Sequence, residues 1–246
     1  MERKWRIGAV SYLNTRPLLY GIEQSGLMPQ IELIKAYPAM IAQDLIDGNI
    51  DMGLVPVAVI PLLKEAHLVS KYCIGAESAV ASVCIFSDVP MEQIENVYLD
   101  YQSRTSVQLA KILLQQFWKK EVNFIKAEEG YIHQINGTSA GVIIGDRALL
   151  ARSNFKYVYD LAEAWIEHTG LPFVFATWIA NKPIPADFIN AFDLANEFGL
   201  NHINDVIISI TDASSGYDLN TYFTKNISYD FSEQKKKGLA LFLKSL

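Results

Sequence analysis

The sequence has only two cysteines, no long apolar run and no extended stretch of basic residues. Cys73 and Cys84 form no CxxC pair, so neither a disulfide framework nor a zinc ribbon is expected, and reduced thiols are the default. The apolar run Gly53–Leu63 is interrupted by Pro56 and Pro61. It is also shorter than the roughly 20 residues that a membrane-spanning helix requires. The pattern therefore predicts neither a disulfide-rich scaffold nor a protein embedded in a membrane.

Positive charge is scarce as well, with 21 basic against 27 acidic residues and a net charge of −6. The basic run Lys235–Lys237 is followed by apolar residues at helical spacing. This pattern predicts a C-terminal surface helix packed on the core, and it does not indicate binding to nucleic acid or a membrane. The opening MERKWRIGAVSYLN lacks the apolar stretch of a secretory signal, so a cytoplasmic protein is expected. Nothing in these patterns specifies an oligomeric state.

Motifs for phosphate, dinucleotide or zinc binding are also missing from the sequence. There is no GxxxxGK[ST], GxGxxG or HExxH, and the four histidines lie far apart, so no metal site is expected. Residues 137–141 match GxSxG, but a strand pattern follows Ser139 where a nucleophile elbow requires a helix. Ser139 is therefore not expected to act as a nucleophile.

Apolar strands alternate with helical patterns in two separate parts of the chain. In the first part we predict strands at 5–10 and 50–55, with helices starting at Pro17 and Pro38. In the second part we predict strands at 97–100, 122–125 and 141–144, with a helix at 107–118. The order predicts an α/β protein of two lobes, residues 1–86 plus 180–246 and residues 87–179. Crossings are expected near 84–87 and 177–181, with a ligand cleft between the lobes.

Polar turns at strand ends supply the candidate binding groups. Ser103–Ser106 follows one strand and opens a helix, so its free N–H groups and hydroxyls can bind an anion or form an ordinary helix cap. Ser11–Arg16 is a second such turn, in which Arg16 is available for a carboxylate. Asp51 and Asp146 also lie at strand ends, where they can face the cleft or hold backbone amides. The predicted binding residues are Ser11, Tyr12, Arg16, Ser103, Arg104, Thr105, Ser106, Gly145 and Asp146.

Six segments in the same order along nearly the whole chain resemble the chorismate dehydratases of the futalosine route to menaquinone. The segments are GAVSYLNTRPL, GNIDMGLVPVA, LDYQSRTSVQLAKILL, GVIIGDRAL, YDLAEAWIEHTGLPFVFATW and YFTKNISYDFSEQKKKGLALF. The resemblance implies a periplasmic-binding-protein-like fold of type II, used as a cytoplasmic enzyme. It also implies conversion of chorismate to 3-[(1-carboxyvinyl)oxy]benzoate with loss of water and without a cofactor.

The resemblance further implies two catalytic residues, Asn14 and Ser82. Asn14 lies in the SYLN segment, and Ser82 lies in SAVASVCIFS, which aligns with a segment that usually reads like GPVRSVLLFS in the family. The usual Gly-Pro is replaced here by Ser78-Ala79, and the residue before the serine, commonly Arg, is Ala81. This chain must therefore meet substrate charge near Ser82 in another way.

The implied reaction removes a ring proton and the neighbouring hydroxyl of chorismate, which leaves an aromatic ring. Ser82 is expected to donate or relay a proton, and Asn14 to hold the departing hydroxyl or the side-chain carboxylate. The turn 103–106 is expected to bind a carboxylate. No motif offers an enzymic base, so the enolpyruvyl carboxylate of the substrate is the candidate.

Two alternatives remain at this stage. The sibling family with the same fold makes 1,4-dihydroxy-6-naphthoate, and the SYLN opening and the lack of a well-placed histidine count against it. A solute-binding protein for an aromatic carboxylate would bind without catalysis. Such a protein is normally exported, so a signal peptide at the gene start would favour it.

Overall fold

The computed structural model describes residues 3–210 and 216–246. The strands in this part of the chain are, in order, β1 (Trp5–Val10), β2 (Ile31–Ala36), β3 (Met52–Pro56), β4 (His67–Ala76), β5 (Val83–Ser87), β6 (Asn96–Leu99), β7 (Asn123–Lys126), β8 (Ser139–Ile144), β9 (Tyr157–Asp160), β10 (Phe173–Ala180) and β11 (Ser228–Asp230). The helices are α1 (Arg16–Gln24), α2 (Pro38–Ile46), α3 (Thr105–Gln116), α4 (Asp146–Ala151), α5 (Leu161–Thr169), α6 (Ala186–Asn201), α7 (Ile203–Ser209), α8 (Leu219–Thr221) and α9 (Glu233–Lys244).

The strands form two sheets, each with a parallel and an antiparallel part. The first sheet has the order β11-β4-β10-β3-β1-β2, with β1 parallel to β2 and β3, and β10 antiparallel to β3 and β4. The second has the order β7-β6-β8-β5-β9, with β6 parallel to β7 and β8, and β5 antiparallel to β8 and β9. The expected α/β architecture with two lobes is confirmed.

The chain crosses between the sheets earlier than the sequence indicated. All of β5 pairs within the second sheet and all of β10 within the first, so neither predicted crossing, near 84–87 or 177–181, is correct. Both segments are paired strands, which have apolar residues on two buried faces. The first crossing is residues 77–82, and the return runs between the end of β9 and the start of β10.

Helix α1 follows β1 and packs directly on α6 through two glycines. Pro17 lies in the first turn of α1, where its missing N–H is not needed. A Cβ atom on Gly21 would lie 1.8 Å from the carbonyl oxygen of Ala195, and one on Gly199 would lie 1.8 Å from that of Pro17. The two backbones are therefore in contact, and this contact fixes the turn that precedes α1.

Helix α9 packs on the core, as its apolar spacing indicated. Leu239 and Phe242 are buried. One lysine of the basic run is buried too, because the Nζ of Lys235 donates to the carbonyl oxygen of Ser228 at 3.2 Å and pairs with Glu77 at 3.2 Å. The basic run thus contributes to the attachment of the helix.

Candidate active site

A mainly apolar cavity of about 60 Å³ lies between the lobes, where strands of both sheets end. Val10 ends β1, Pro56 ends β3 and Ile144 ends β8, and all three line the cavity. The carboxyl ends of strands are the usual place for ligands in open α/β sheets. Most polar residues of the wall come from the turns singled out in the sequence. The predicted site residues in the wall are Tyr12, Asn14, Ser82, Ser103, Thr105, Ser106 and Gly145.

Ser82 is fully buried at the end of the first crossing. Its Oγ accepts a hydrogen bond of 2.8 Å from the hydroxyl of Tyr222. Its carbonyl oxygen accepts one of 2.7 Å from the N–H of Gly145. Because Tyr222 donates to the Ser82 oxygen, the Ser82 proton is available to a group in the cavity.

The residue before Ser82 has a strained backbone. Ala81 has φ +64°, a left-handed conformation that non-glycine residues rarely adopt, and the N–H of Ser82 donates to the Val80 carbonyl at 2.8 Å. The Asp160 carboxylate accepts from the N–H groups of Val80 at 3.2 Å and Ala81 at 2.7 Å. Arg152 donates to the Ala81 carbonyl at 2.9 Å. These contacts hold a turn that aims Ser82 at the cavity.

Asn14 reaches the cavity from a 3₁₀ turn, Leu13–Thr15, between β1 and α1. The Thr15 hydroxyl lies 2.6 Å from the carbonyl oxygen of Val10, which fixes the turn to the end of β1. The hydroxyl of Tyr229 donates to the Asn14 carbonyl oxygen at 3.0 Å. The side-chain amide of Asn14 makes no hydrogen bond within residues 3–210 and 216–246, so it is available to a ligand.

The turn 103–106 caps helix α3 and also contacts the other lobe. The Ser103 Oγ accepts from the N–H of Ser106 at 3.1 Å, so helix α3 begins at Thr105, two residues before the predicted start. The Thr105 Oγ1 accepts from the N–H of Ala58 at 3.1 Å. The capped N-terminus of α3 therefore faces the cavity and connects the lobes.

A second polar connection between the lobes runs through Tyr12. Its hydroxyl donates to the Oε1 of Gln102 at 2.5 Å, and burial raises the pKa of this phenol. Arg147 donates to the same Gln102 oxygen at 3.0 Å and forms an ion pair of 2.7 Å with the buried Asp100. The hydroxyl of Tyr131 donates to the same Asp100 carboxylate at 2.8 Å. This network holds Tyr12 against the second lobe.

Some predicted binding residues lie outside the wall of the cavity. They are Ser11, Arg16, Arg104 and Asp146. Ser11 and Arg16 are exposed, because the turn that carries Asn14 directs them outward. Arg104 donates to the side chain of Gln43 at 3.3 Å. Asp146 accepts from the N–H of Leu13 at 3.0 Å, and burial raises its pKa. It thus holds a backbone amide across the lobes, one of the two roles that the sequence left open.

Asp51, the other strand-end acid, is at the opposite end of β3 from the cavity. Its carboxylate accepts from the N–H of Arg6 at 2.9 Å and from the side chains of Arg3, at 2.9 Å, and Lys182. Asp51 therefore stabilises the fold and does not line the site.

Residues that the motif analysis did not single out complete the surroundings of the site. Tyr222 and Tyr229 contact the two predicted catalytic residues, and Gln102 and Arg147 hold Tyr12. The signal for the two tyrosines is their position in the closing segment YFTKNISYDF, where an aromatic ring that is buried needs a partner for its hydroxyl.

Apolar side chains form most of the wall, and no lysine or arginine lines it among the residues that the structure describes. Val10, Leu54, Ile74, Val83 and Phe175 offer an apolar surface that suits a flat ring. Hydroxyls, one amide and the N-terminus of α3 are left to meet negative charge. The site thus suits a small cyclic acid held by neutral donors.

A family model described as menaquinone biosynthesis matches residues 5–246. The chain belongs to the menaquinone biosynthesis family. Two relatives of this chain are named chorismate dehydratase. The one from Thermus thermophilus is 24% identical over 265 residues, which cover 99% of this chain and 96% of that protein. The one from Campylobacter jejuni is 29% identical over 175 residues, which cover 69% of this chain and 64% of that protein.

Solved structures resemble this chain along almost its whole length. A protein of Archaeoglobus fulgidus has a TM-score of 0.77 at 13% identity, covering 98% of this chain and 96% of that one. A Candida albicans protein described as having the periplasmic binding protein fold has a TM-score of 0.62 at 11% identity, covering 98% and 90%. The periplasmic aliphatic sulphonate binding protein of Escherichia coli has 0.61 at 13% identity, covering 99% and 93%. The expected periplasmic-binding-protein-like fold is confirmed.

No helix within the described ranges 3–210 and 216–246 is long and apolar enough to cross a membrane. In the same ranges, no three His, Cys, Asp or Glu side chains come together in a way that could hold a metal ion.

Proposed function

We propose that this protein is a cytoplasmic chorismate dehydratase, a hydro-lyase that converts chorismate to 3-[(1-carboxyvinyl)oxy]benzoate and water without a cofactor, as the first step of futalosine-dependent menaquinone biosynthesis. Membership of the menaquinone biosynthesis family and the two relatives named chorismate dehydratase support this function. The observation in the structure that carries the proposal is that Asn14 and Ser82 line one mainly apolar cavity between the lobes, together with the N-terminus of α3.

The substrate ring packs against the apolar wall, and its two carboxylates meet neutral donors. The N-terminal turn of α3, with the hydroxyl of Ser106, binds one carboxylate through N–H groups and the helix dipole. The Asn14 amide binds the second carboxylate or the departing hydroxyl. Because the protein carries a net charge of −6, its overall field does not attract a dianion, and these local donors supply the binding energy.

The elimination moves one proton and one hydroxyl. A base takes the ring proton at the carbon that bears the enolpyruvyl oxygen, and the electron pair of that C–H bond enters the ring. The neighbouring C–O bond then breaks, and the hydroxyl leaves as water once it has gained a proton. Aromatisation drives the step, so the protein mainly orients the substrate and stabilises the developing charge.

Ser82 supplies or relays the proton to the leaving hydroxyl, because its oxygen already accepts from Tyr222, which leaves its own proton free, and because Ser82 lines the cavity. Among the residues that the structure describes, no carboxylate or histidine lines the cavity. This supports the substrate's own enolpyruvyl carboxylate as the base. A base that belongs to the substrate makes the rate depend on how the substrate is held.

The test is to incubate the purified protein with chorismate and to analyse the products by liquid chromatography and mass spectrometry. We expect an aromatic product that is lighter than chorismate by one water. Ser82→Ala should lower kcat by about 10²- to 10³-fold, the usual effect of removing a donor that acts in the transition state. Asn14→Ala should lose turnover as well.

Ser139→Ala is the matched control, since Ser139 belongs to the GxSxG match and lies outside the cavity wall. It should keep full turnover. Tight binding of chorismate without turnover by the unchanged protein would contradict the proposal and indicate a solute-binding protein. Turnover of cyclic dehypoxanthine futalosine in place of chorismate would indicate the sibling enzyme. Full turnover by Ser82→Ala would refute the role of Ser82.

A further inference from the structure

The hydroxyl of Tyr222 and the Oγ of Ser82 lie 2.8 Å apart and are both buried, although 140 positions separate the residues in the chain. Each is the other's hydrogen-bond partner within residues 3–210 and 216–246. A buried hydroxyl without a hydrogen-bond partner destabilises the folded protein, so this pair holds both side chains in one orientation. Burial also raises the pKa of Tyr222, so the phenol stays protonated and remains a donor.

The local backbone keeps Tyr222 in this place. Residues Tyr222–Asn226 form a π-helical turn, a rare conformation that is frequent at functional sites. The Asn226 side chain donates to the carbonyl oxygen of Ala79 at 2.8 Å. The turn is therefore attached to the same crossing, 77–82, that carries Ser82.

The same segment also contacts the second catalytic residue. Tyr229 follows Tyr222 by seven positions, is buried, and donates to the carbonyl oxygen of Asn14 at 3.0 Å. Two tyrosine hydroxyls from one stretch of chain thus contact Ser82 and Asn14, which come from different parts of the sequence.

We propose that Tyr222 is a positioning residue for the dehydration, which orients the Ser82 hydroxyl so that its proton points into the cavity. This inference rests on the proposed function. Without the Tyr222 hydroxyl, the Ser82 hydroxyl can rotate toward the space that the missing oxygen leaves. Its proton then no longer faces the leaving group. Binding is affected little, because the Tyr222 side chain is not part of the cavity wall.

The test is a double-mutant cycle with steady-state kinetics on chorismate. Tyr222→Phe removes one oxygen atom and should lower kcat by about 10- to 100-fold, as expected when a group that orients a catalytic residue is lost. KM should change less than about two-fold. In the Ser82→Ala background the same substitution should change kcat less than about two-fold, because the residues act as a unit.

Tyr159→Phe is the matched control, because it also removes one phenol oxygen that makes one hydrogen bond. The Tyr159 oxygen accepts from the N–H of Met91 at 2.7 Å, and Tyr159 is not in the cavity wall. It should keep kcat within about two-fold. An equal loss of kcat from Tyr222→Phe in both backgrounds, or no loss in either, would overturn the proposal. Failure of the unchanged protein to turn over chorismate would instead refute the proposed function.

If Tyr222→Phe does not fold, 4-fluorophenylalanine at position 222 replaces it, because it nearly keeps the shape of tyrosine and removes the hydrogen-bond donor. The Ser82 hydroxyl then loses its orientation, so kcat should again fall by about 10- to 100-fold, whereas the same replacement at position 159 should keep kcat within about two-fold. An unchanged kcat with 4-fluorophenylalanine at position 222 would overturn the proposal.

Discussion

Asn14 and Ser82 reach the cavity through different local structures. Asn14 lies in a 3₁₀ turn that the Thr15 hydroxyl attaches to β1, with little strain. Ser82 follows the left-handed Ala81, whose turn is held by the buried carboxylate of Asp160 and by Arg152. Backbone strain of about 1–3 kcal/mol persists only where the surroundings enforce it. The backbone strain is therefore concentrated next to Ser82, the proposed proton donor.

Asp51 shows what a strand-end acid does when it is not part of the site. Although its burial opposes ionisation, hydrogen bonds from Lys182 and the Arg6 N–H, with the charges of Lys182 and Arg3, lower its pKa below the usual 3.8. The unfolded chain then binds more protons than the folded one between the lowered pKa and about 4. The stability that ionised Asp51 contributes is thus complete above about pH 4 and is lost as the pH falls through the lowered pKa.

We therefore expect Asp51→Asn to lower the free energy of unfolding at pH 7 by about 1–3 kcal/mol, because charged hydrogen bonds are lost. The difference from the unchanged protein should shrink at pH 3. Urea unfolding at both pH values measures it, with Asp187→Asn on the exposed face of α6 as the control. An equal deficit at pH 7 and pH 3 would contradict the assignment.

At the scale of elements, the contact of α1 with α6 decides where the SYLN turn lies. Gly199→Ala should destabilise the protein by at least about 2 kcal/mol, because the new Cβ would overlap the Pro17 carbonyl oxygen. This loss should outweigh the gain of about 1 kcal/mol in helix propensity. Thermal and urea unfolding measure the change.

Gly26→Ala is the control for this substitution, because a Cβ at Gly26 would meet no atom within 4 Å. It should be neutral or slightly stabilising. Equal free energies of unfolding for the two variants would contradict the close approach of α1 and α6.

Elements with a local signal could be predicted from the sequence, and those defined by distant partners could not. Strand β1 and the starts of α1 and α2 follow from apolar spacing and from Pro17 and Pro38. The crossing predicted near 177–181 overlaps the end of strand β10, because the place of β10 in the sheet depends on β3 and β4, which lie about a hundred positions earlier. The three-residue strand β11 has no periodic signal of its own.

The same distinction applies to the site. The hydroxyls of the turn 103–106 could be predicted because helix capping is local, and Asn14 and Ser82 came from family resemblance. The partners Tyr222 and Tyr229 lie 140 and 215 positions from the residues they contact. Ser11 and Arg16 lie outside the cavity wall because a turn of a few residues sends neighbouring side chains in opposite directions, and only the backbone geometry determines which ones face the cavity.

For the whole molecule, the size of the cavity implies motion of the lobes. Its volume of about 60 Å³ is far below the roughly 300–1,000 Å³ of typical ligand sites. The lobes are held together by the Tyr12–Gln102, Leu13–Asp146 and Ala58–Thr105 hydrogen bonds. These must break for the proposed substrate to enter, and the lobes can then close over it and exclude water.

We expect small-angle scattering to give a larger radius of gyration for the free protein than for its complex with 3-[(1-carboxyvinyl)oxy]benzoate. The ligand favours the closed lobes, so the radius should fall on addition. A radius that stays the same across saturating product would contradict lobe closure.

The place of β10 in the first sheet has a consequence for synthesis on the ribosome. Strand β4 pairs with β10 and β11, both of which are made after the entire second lobe, whereas the strands of the second sheet all lie between residues 83 and 160. The inserted lobe can therefore fold while the edge of β4 is still unpaired, because β10 and β11 have not yet been made. In this chain the residues made first, including Asn14, reach their final surroundings last.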